Sequence, residues 1–223
     1  MPTNLGHKYL EKPAMVKLLP ADLSGQSVLC IGVGAGEEIE ELLKRHPAKI
    51  TGIDISSELL KIAKSKFPDI EFIEMDMMDL NLPKSSFDLI YSSLAFHYAK
   101  DWDVLMSGVA RVLKQGGTLL FSTHNPPYWR LKTATGKSYT NPRGVVVDEY
   151  AAVLAGGVPV TYYSHRDAQD ILDAVNRAEF KIDKAFTAEV VDIRVPPEEK
   201  EAYEKLKEKN SIPLFLIVRA IKI

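Results

Sequence analysis

Apolar and polar positions along the chain switch repeatedly between two periods. Short apolar runs at residues 27–31, 49–54, 70–74, 87–92 and 118–122 predict five strands, and the unbroken run Val28, Leu29, Cys30, Ile31 suits a strand covered on both faces. Between these runs the period becomes helical. Ile39, Leu42 and Leu43 stand at i, i+3 and i+4, with acids ahead of them and Lys44, Arg45 and His46 behind, the order a helix dipole favours. Leu59, Leu60, Ala63 and Phe67 follow the capping residue Ser56 and stop at Pro68. Leu105, Val109, Val112 and Leu113 follow Asp101, with Gly116-Gly117 as the predicted stop. Tyr9, Leu10, Met15, Val16, Leu18 and Leu19 mark an earlier helix over 8–19, interrupted near Pro13.

Strands separated by helical stretches predict a doubly wound, mostly parallel α/β sheet with right-handed crossovers. The pattern resumes late in the chain with a helix over 167–178 (Ile171, Leu172 and Val175 inward), a sixth strand over 181–188 and a last one over 213–221. The charged helix between them, 196–210, has Glu201 and Lys205 at i, i+4 and reads as a solvated face. Spacing leaves open whether the last strand is parallel or antiparallel to the sixth. From about 125 to 164 the pattern breaks into turns and short apolar runs carrying Trp129, Tyr139, Tyr150, Tyr162 and Tyr163. That segment leaves from the carboxyl end of the fifth strand, where open α/β sheets bind ligands, so it is expected to cap a substrate pocket with those aromatic residues. The whole of 1–223 reads as one domain.

Composition narrows the classes. Apolar residues at 46% and charged residues at 26% are those of a folded domain rather than a disordered chain. A formal net charge of -2 offers no general attraction to nucleic acid or an anionic membrane. The single cysteine, Cys30, excludes a disulfide framework, and no histidine or paired-carboxylate spacing suggests a metal site or a nucleophilic triad. No apolar run nears the ~18 residues of a membrane span, and the polar start lacks a signal peptide's apolar core, so a cytoplasmic location is expected.

The candidate chemistry gathers at residues 28–38, where an apolar run ends in Gly32, Gly34 and Gly36, with Asp54 eighteen positions beyond the last of them. Glycines there let a backbone approach a ligand closely, and a carboxylate after the next strand suits a ribose diol. A dinucleotide fingerprint needs a small residue where Glu37 stands. Glu37 and Glu38 would also repel a pyrophosphate at the helix start, whereas a sulfonium cation tolerates them. The turn therefore points from NAD toward an adenosyl sulfonium.

Four stretches in order now carry a resemblance: V-L-C-I-G-V-G-A-G, I-T-G-I-D-I-S, I-E-F-I-E-M-D-M-M-D-L-N-L-P, and S-F-D-L-I-Y-S-S-L-A-F-H-Y followed by R-V-L-K-Q-G-G-T-L-L-F. The sequence resembles the class I S-adenosylmethionine-dependent methyltransferases, in the group that includes small-molecule and ubiquinone-pathway enzymes. The resemblance implies a Rossmann-like sheet of seven strands and S-adenosylmethionine as cofactor, released as S-adenosylhomocysteine. It implies a cofactor site at Gly32, Gly34, Gly36, Asp54, Ile55, Asp76, Met77 and Ser93. Asp54 would take the ribose hydroxyls, and Asp76 the adenine amino group with Met77 beside the ring. It places the methyl donor near His97 and Tyr98, making His97 the candidate catalytic base for an unidentified small-molecule acceptor. His124 and His165 are further residues able to face that pocket. Tyr9 and the first helix would close over the cofactor.

Two positions depart from the family pattern. Cys30 stands where relatives carry an acid that helps hold the methionine end of the cofactor, and Glu179 where they often carry glycine. The tetrapeptide Asn125-Pro126-Pro127-Tyr128 matches one that amide and base N-methyltransferases use, but it follows the fifth strand rather than the fourth. That reading is a secondary alternative, beside a non-catalytic protein that only binds an adenosyl ligand.

Overall fold

A computed structural model describes residues 5–126, 137–141, 143–153, 159–165, 167–188, 195–209 and 213–223. The expected five strands form as β1 (Ser27–Ile31), β2 (Lys49–Asp54), β3 (Glu71–Glu74), β4 (Phe87–Ser92) and β5 (Leu113–His124). The broken stretch folds into three more, β6 (Lys137–Thr140), β7 (Val146–Val153) and β8 (Pro159–His165), before β9 (Phe180–Thr187) and β10 (Phe215–Lys222). Seven strands make one sheet in the order β3-β2-β1-β4-β5-β10-β9. β1 to β5 run parallel, and β10 lies antiparallel between β5 and β9, which answers the question that spacing left open.

Alternate side chains of each central strand enter two separate cores. Leu29 and Ile31 pack with Leu105, Val109 and Val112 of α4 (Trp102–Val112) and with Ile171 and Val175 of α5 (Ala168–Arg177). Val28 and Cys30 face the other way, onto α2 (Ile39–Leu43) and the first helix. That helix runs through Pro13 by changing register, from a wider π turn at His7–Glu11 to α1 (Lys12–Leu18). Pro13 falls in the first turn of α1, at the point where the helical register changes. Some helical positions differ from the pattern: Leu43 and Leu59 are exposed rather than inward.

The fourth helix stops earlier than Gly116-Gly117. Leu113 is already extended and pairs with Phe87, so the strand begins before the glycines. Their role is inside β5, where the register shifts, Gly116 takes φ +73°, and a Cβ on Gly117 would lie 2.8 Å from the Lys114 carbonyl oxygen. The cap strands form a separate antiparallel sheet, β6-β7-β8.

Glu179 ends α5 with φ +63°, the left-handed conformation that glycine accepts and a side chain resists. Its carbonyl accepts a hydrogen bond from Ile223 N–H at 2.9 Å, so the turn is held by the end of the chain. Glu179→Gly is expected to stabilise the fold by roughly 0.5–1 kcal/mol, the relief of that strain less glycine's extra chain entropy. Chemical denaturation should show a higher midpoint with an unchanged slope; a lower midpoint would refute the strain argument.

Candidate active site

β1 and β2 end at the same edge of the sheet, and the glycine turn is tied to both. Gly32 and Val33 donate their N–H groups to Ile53 O at 2.9 and 3.0 Å. Gly32, Gly34 and Gly36 all have positive φ, at +68°, +53° and +80°. Space around them divides their roles. A Cβ on Gly32 would lie 2.3 Å from the Ala95 Cβ, and one on Gly36 3.0 Å from the Phe67 ring, so both allow close packing. A Cβ on Gly34 would meet nothing within 4 Å, so at Gly34 the turn borders open space.

Asp54 is oriented by the backbone on either side of it. Its Oδ2 accepts from Gly34 N–H at 2.8 Å and its Oδ1 from Ser56 N–H at 2.9 Å. A carboxylate has about four acceptor positions, so each oxygen retains capacity for a further donor. Ile55 beside it is 71% exposed, an unusual setting for so apolar a side chain, and one a flat apolar ring would cover. Asp76 opens the turn after β3, where its Oδ1 accepts from Met78 N–H at 2.8 Å. Met75 N–H donates to Asp54 O at 3.0 Å, which joins that turn to the end of β2. Met77 packs partly against the core from the same turn. The structure thus brings Gly34, Asp54, Ile55, Asp76 and Met77 to one edge.

Ser93 belongs to the same edge, past the end of β4, and its hydroxyl donates to Glu11 Oε1 at 2.9 Å. Leu94 follows at φ +50°, a costly conformation for a branched side chain, fixed by its N–H bond to Ser122 Oγ at 2.9 Å. Glu11 is fully buried and also accepts from the Ser122 hydroxyl. Among the described residues its Oε2 makes no hydrogen bond; it lies 3.3 Å from His7 Nε2, which in turn lies 3.0 Å from Glu38 Oε1. Glu38 is also 3.4 Å from Lys12 Nζ and accepts from the Tyr91 hydroxyl at 3.4 Å. Burial raises the Glu11 carboxyl against the opposing pull of His7. For His7, burial opposes the charge, but the bond to Glu38 and the surrounding carboxylates raise its pKa overall.

Neither Glu11 nor His7 stood out in the sequence as a site residue. The available signal was an acid at i+4 from a histidine, next to Leu10 in an amphipathic helix. Tyr9, expected over the cofactor, turns away: it donates to Glu199 of α6 (Pro197–Lys209) and packs edge-on against Tyr203 at 5.1 Å. Lys8 adds an ion pair to Glu199 at 2.7 Å. So α6 is more than a solvated face, because its Tyr203 is buried against the first helix.

A group of rings lies at the same edge, past the ends of β4 and β5 and beneath the cap. His97 and Tyr98 occupy a single 3-10 turn, Phe96–Tyr98, after β4. The His97 ring stacks on His124 at the end of β5, with centroids 3.6 Å apart and planes 7° from parallel. Tyr162 of β8 covers the pair at 5.3 and 5.4 Å and stacks on Tyr98 at 5.0 Å. Burial holds the His97 pKa well below the usual histidine range, helped by His124, and pushes His124 down to about 3. Both rings are therefore neutral near pH 7. Burial and the bond to Tyr162 raise the Tyr98 hydroxyl, which also feels the charge of Asp54. His97 Nδ1 is buried without a hydrogen bond among the described residues.

Other expected cap residues fare differently. Tyr163 projects from the opposite side of β8 to Tyr162, because strand side chains alternate, so it does not share that wall. His165 is buried edge-on to Trp102 at 6.1 Å, behind the ring group. Trp129, Tyr128, Pro127 and the side chains of Tyr139 and Tyr150 lie outside the described residues. Asn125 directs its side-chain amide to Pro213 O at 2.7 Å and its backbone N–H to Leu214 O at 2.9 Å. The amide is thus engaged with the segment entering β10.

Comparison with known proteins agrees with this geometry. Residues 29–121 match the family model described as a methyltransferase domain. A curated demethylmenaquinone methyltransferase of Thermotoga maritima is 35% identical over 121 residues, covering 53% of this chain and 52% of its own. A fatty-acid O-methyltransferase of Mycolicibacterium smegmatis is 32% identical over 111 residues, covering 48% of this chain and 40% of its own. The chain spans about half the length, or less, of these curated relatives. The crystal structure of an S-adenosylmethionine-dependent methyltransferase from Mesorhizobium loti superposes with a TM-score of 0.76 at 29% identity, covering 95% of this chain and 97% of that one. The glycine turn, the Asp54 carboxylate and the sheet order occur together within that likeness: residues 29–121 are a methyltransferase domain, and the chain has the Rossmann-like fold of the class I S-adenosylmethionine-dependent methyltransferases.

Proposed function

We propose that this chain transfers a methyl group from S-adenosylmethionine to a small, uncharged acceptor held between the His97–Tyr98 turn and the cap sheet. The observation that carries the reading is the Asp54 carboxylate, fixed by two backbone N–H groups beside the open backbone of Gly34. The chemistry such a cofactor supplies when bound is an electrophilic methyl group on a sulfonium sulfur. The residues present fit it. Asp54 has acceptor capacity for two ribose hydroxyls, Ile55 and Met77 offer apolar surface for the adenine, and Asp76 supplies an acceptor for its amino group. Gly34 leaves the space that a side chain would take.

The protein's part is then mostly alignment, which can supply about 7–11 kcal/mol when both reactants are held in line. The wall of His97, His124, Tyr98 and Tyr162 excludes water and presents neutral rings, which suits an acceptor without charge. In this reading His97 Nδ1 accepts a hydrogen bond from the acceptor and orients its lone pair. Its burial favours that role over storing a full proton, because an imidazolium there would be poorly solvated. The different acceptors in the names of the two curated relatives, a fatty acid and a demethylmenaquinone, leave the acceptor of this chain to be found by a screen for S-adenosylhomocysteine release.

Asp54→Asn should weaken S-adenosylhomocysteine by at least about tenfold, the worth of one charge-assisted hydrogen bond, and should also lower the melting temperature, because its NH2 cannot accept from Gly34 or Ser56 N–H. Gly34→Ala should fold, at a cost of about 1 kcal/mol for its positive φ, and lose binding far beyond that cost. Calorimetry measures both. If the wild-type chain binds neither S-adenosylmethionine nor S-adenosylhomocysteine below millimolar concentration, the enzyme reading is wrong.

The ring stack also predicts a pH dependence of stability. His124 has a folded-state pKa of about 3, below its unfolded value of 6.5, so the unfolded chain binds the extra proton between those limits. Its contribution is intact above pH 6.5 and is lost as the pH falls toward 3. His7 acts with the opposite sign, since its pKa is raised, so the comparison must isolate His124. Acidifying from pH 7 to 5 should destabilise the wild type by up to about 2 kcal/mol more than His124→Phe. Parallel melting curves at the two pH values would refute this.

A further inference from the structure

Two carboxylates from different elements converge on one nitrogen at the edge that carries the glycine turn. Glu11, from the first helix, and Glu38, at the start of α2, approach His7 Nε2 at 3.3 and 3.0 Å. Their surroundings belong to the candidate site on every side. Glu38 comes two residues after Gly36, Ser93 donates to Glu11 from the end of β4, and Ser122 donates to it from β5. Tyr91 reaches Glu38 from β4, beside Cys30 in the strand register.

Burying a carboxylate is costly unless it is paired and hydrogen-bonded. Glu11 is fully buried, and among the described residues its Oε2 makes no hydrogen bond and has only the ion-pair contact to His7 at 3.3 Å. A side chain kept in that condition at a ligand edge suits a role with the ligand bound. The group that satisfies it must be a cation with several donors, small enough to sit between two carboxylates. His7 Nε2 holds the place of such a group, and the carboxylates around it favour its protonated form. Strand β1 itself contributes no charge here, because Cys30 is buried and burial keeps its thiol protonated.

We propose that Glu11 and Glu38 together bind the α-ammonium of the cofactor's amino-acid end, so that the acid absent from position 30 is supplied by the first helix and by α2. This rests on the methyltransferase reading above. It gives the first helix a direct part in binding, with Glu11 rather than Tyr9 as the residue that meets the cofactor. The interactions of Lys8 and Tyr9 with Glu199 then serve to hold that helix in place.

Two ligands separate this from a structural role. S-adenosylhomocysteine carries the amino-acid end, whereas 5′-methylthioadenosine has the same adenosine and a thioether without it. Titration calorimetry of the full chain should show Glu11→Gln weakening S-adenosylhomocysteine at least tenfold while 5′-methylthioadenosine changes less than twofold. Glu38→Gln lies in a less buried position and should give the same ordering, so it serves if Glu11→Gln fails to fold. Equal weakening of both ligands, or of neither, overturns the proposal while leaving the methyltransferase reading in place. A wild-type chain that binds neither ligand overturns both.

Discussion

The double hold on Asp54 is the constraint on which the rest of the site depends. Its two oxygens bond Gly34 N–H and Ser56 N–H, and so join the turn after β1 to the turn after β2 through one side chain. Ile53 O accepts from Gly32 and Val33, adding backbone bonds between the same two turns. A loop with three positive-φ glycines has many conformations open to it, and these bonds select one. The carboxylate is thereby preorganised, and the cost of fixing it is met during folding rather than on binding.

Around that fixed edge, the remaining elements approach from three directions. The first helix brings Glu11 and His7 over the ends of β4 and β5, and α6 holds it through Glu199 and Tyr203. The cap sheet brings Tyr162 down on the His97–His124 stack. Between them Leu94 sits in a strained conformation, its N–H held by Ser122, whose hydroxyl also serves Glu11. Ser122 therefore connects the cofactor side to the backbone that leads into the His97 turn. Charge is segregated accordingly: acids and His7 collect on the helix side, neutral rings on the cap side.

Much of this was legible in the chain. Strand and helix periods located the sheet, because a buried parallel strand must be apolar on both faces and its helices on one. The turns that carry Asp54, Asp76 and the glycines were readable because positive φ and carboxylate-to-backbone bonds impose residue type locally. Glu179 was readable as strain, since a position after a helix that takes positive φ penalises any side chain. The boundary between α4 and β5 was not: the glycine pair looks like a helix stop, but pairing of Leu113 with Phe87 ends the helix first. The partners of Tyr9 and the side taken by Tyr163 were not legible, for a related reason. An aromatic residue in a helix or strand has a side fixed by its register against distant neighbours, which its own segment does not reveal.

By itself, then, the sequence determined the layered α/β architecture and the preference for a sulfonium over a pyrophosphate, and it singled out Asp54 as the candidate carboxylate. These follow from short-range rules of periodicity, glycine conformation and like-charge repulsion. Only the tertiary structure decided the direction of β10, the stack of His97 on His124 across 27 residues, and the meeting of Glu11 with Ser122 across 111. Each of those depends on contacts between segments far apart in the chain, where burial chooses the partner and the local pattern carries no record of it.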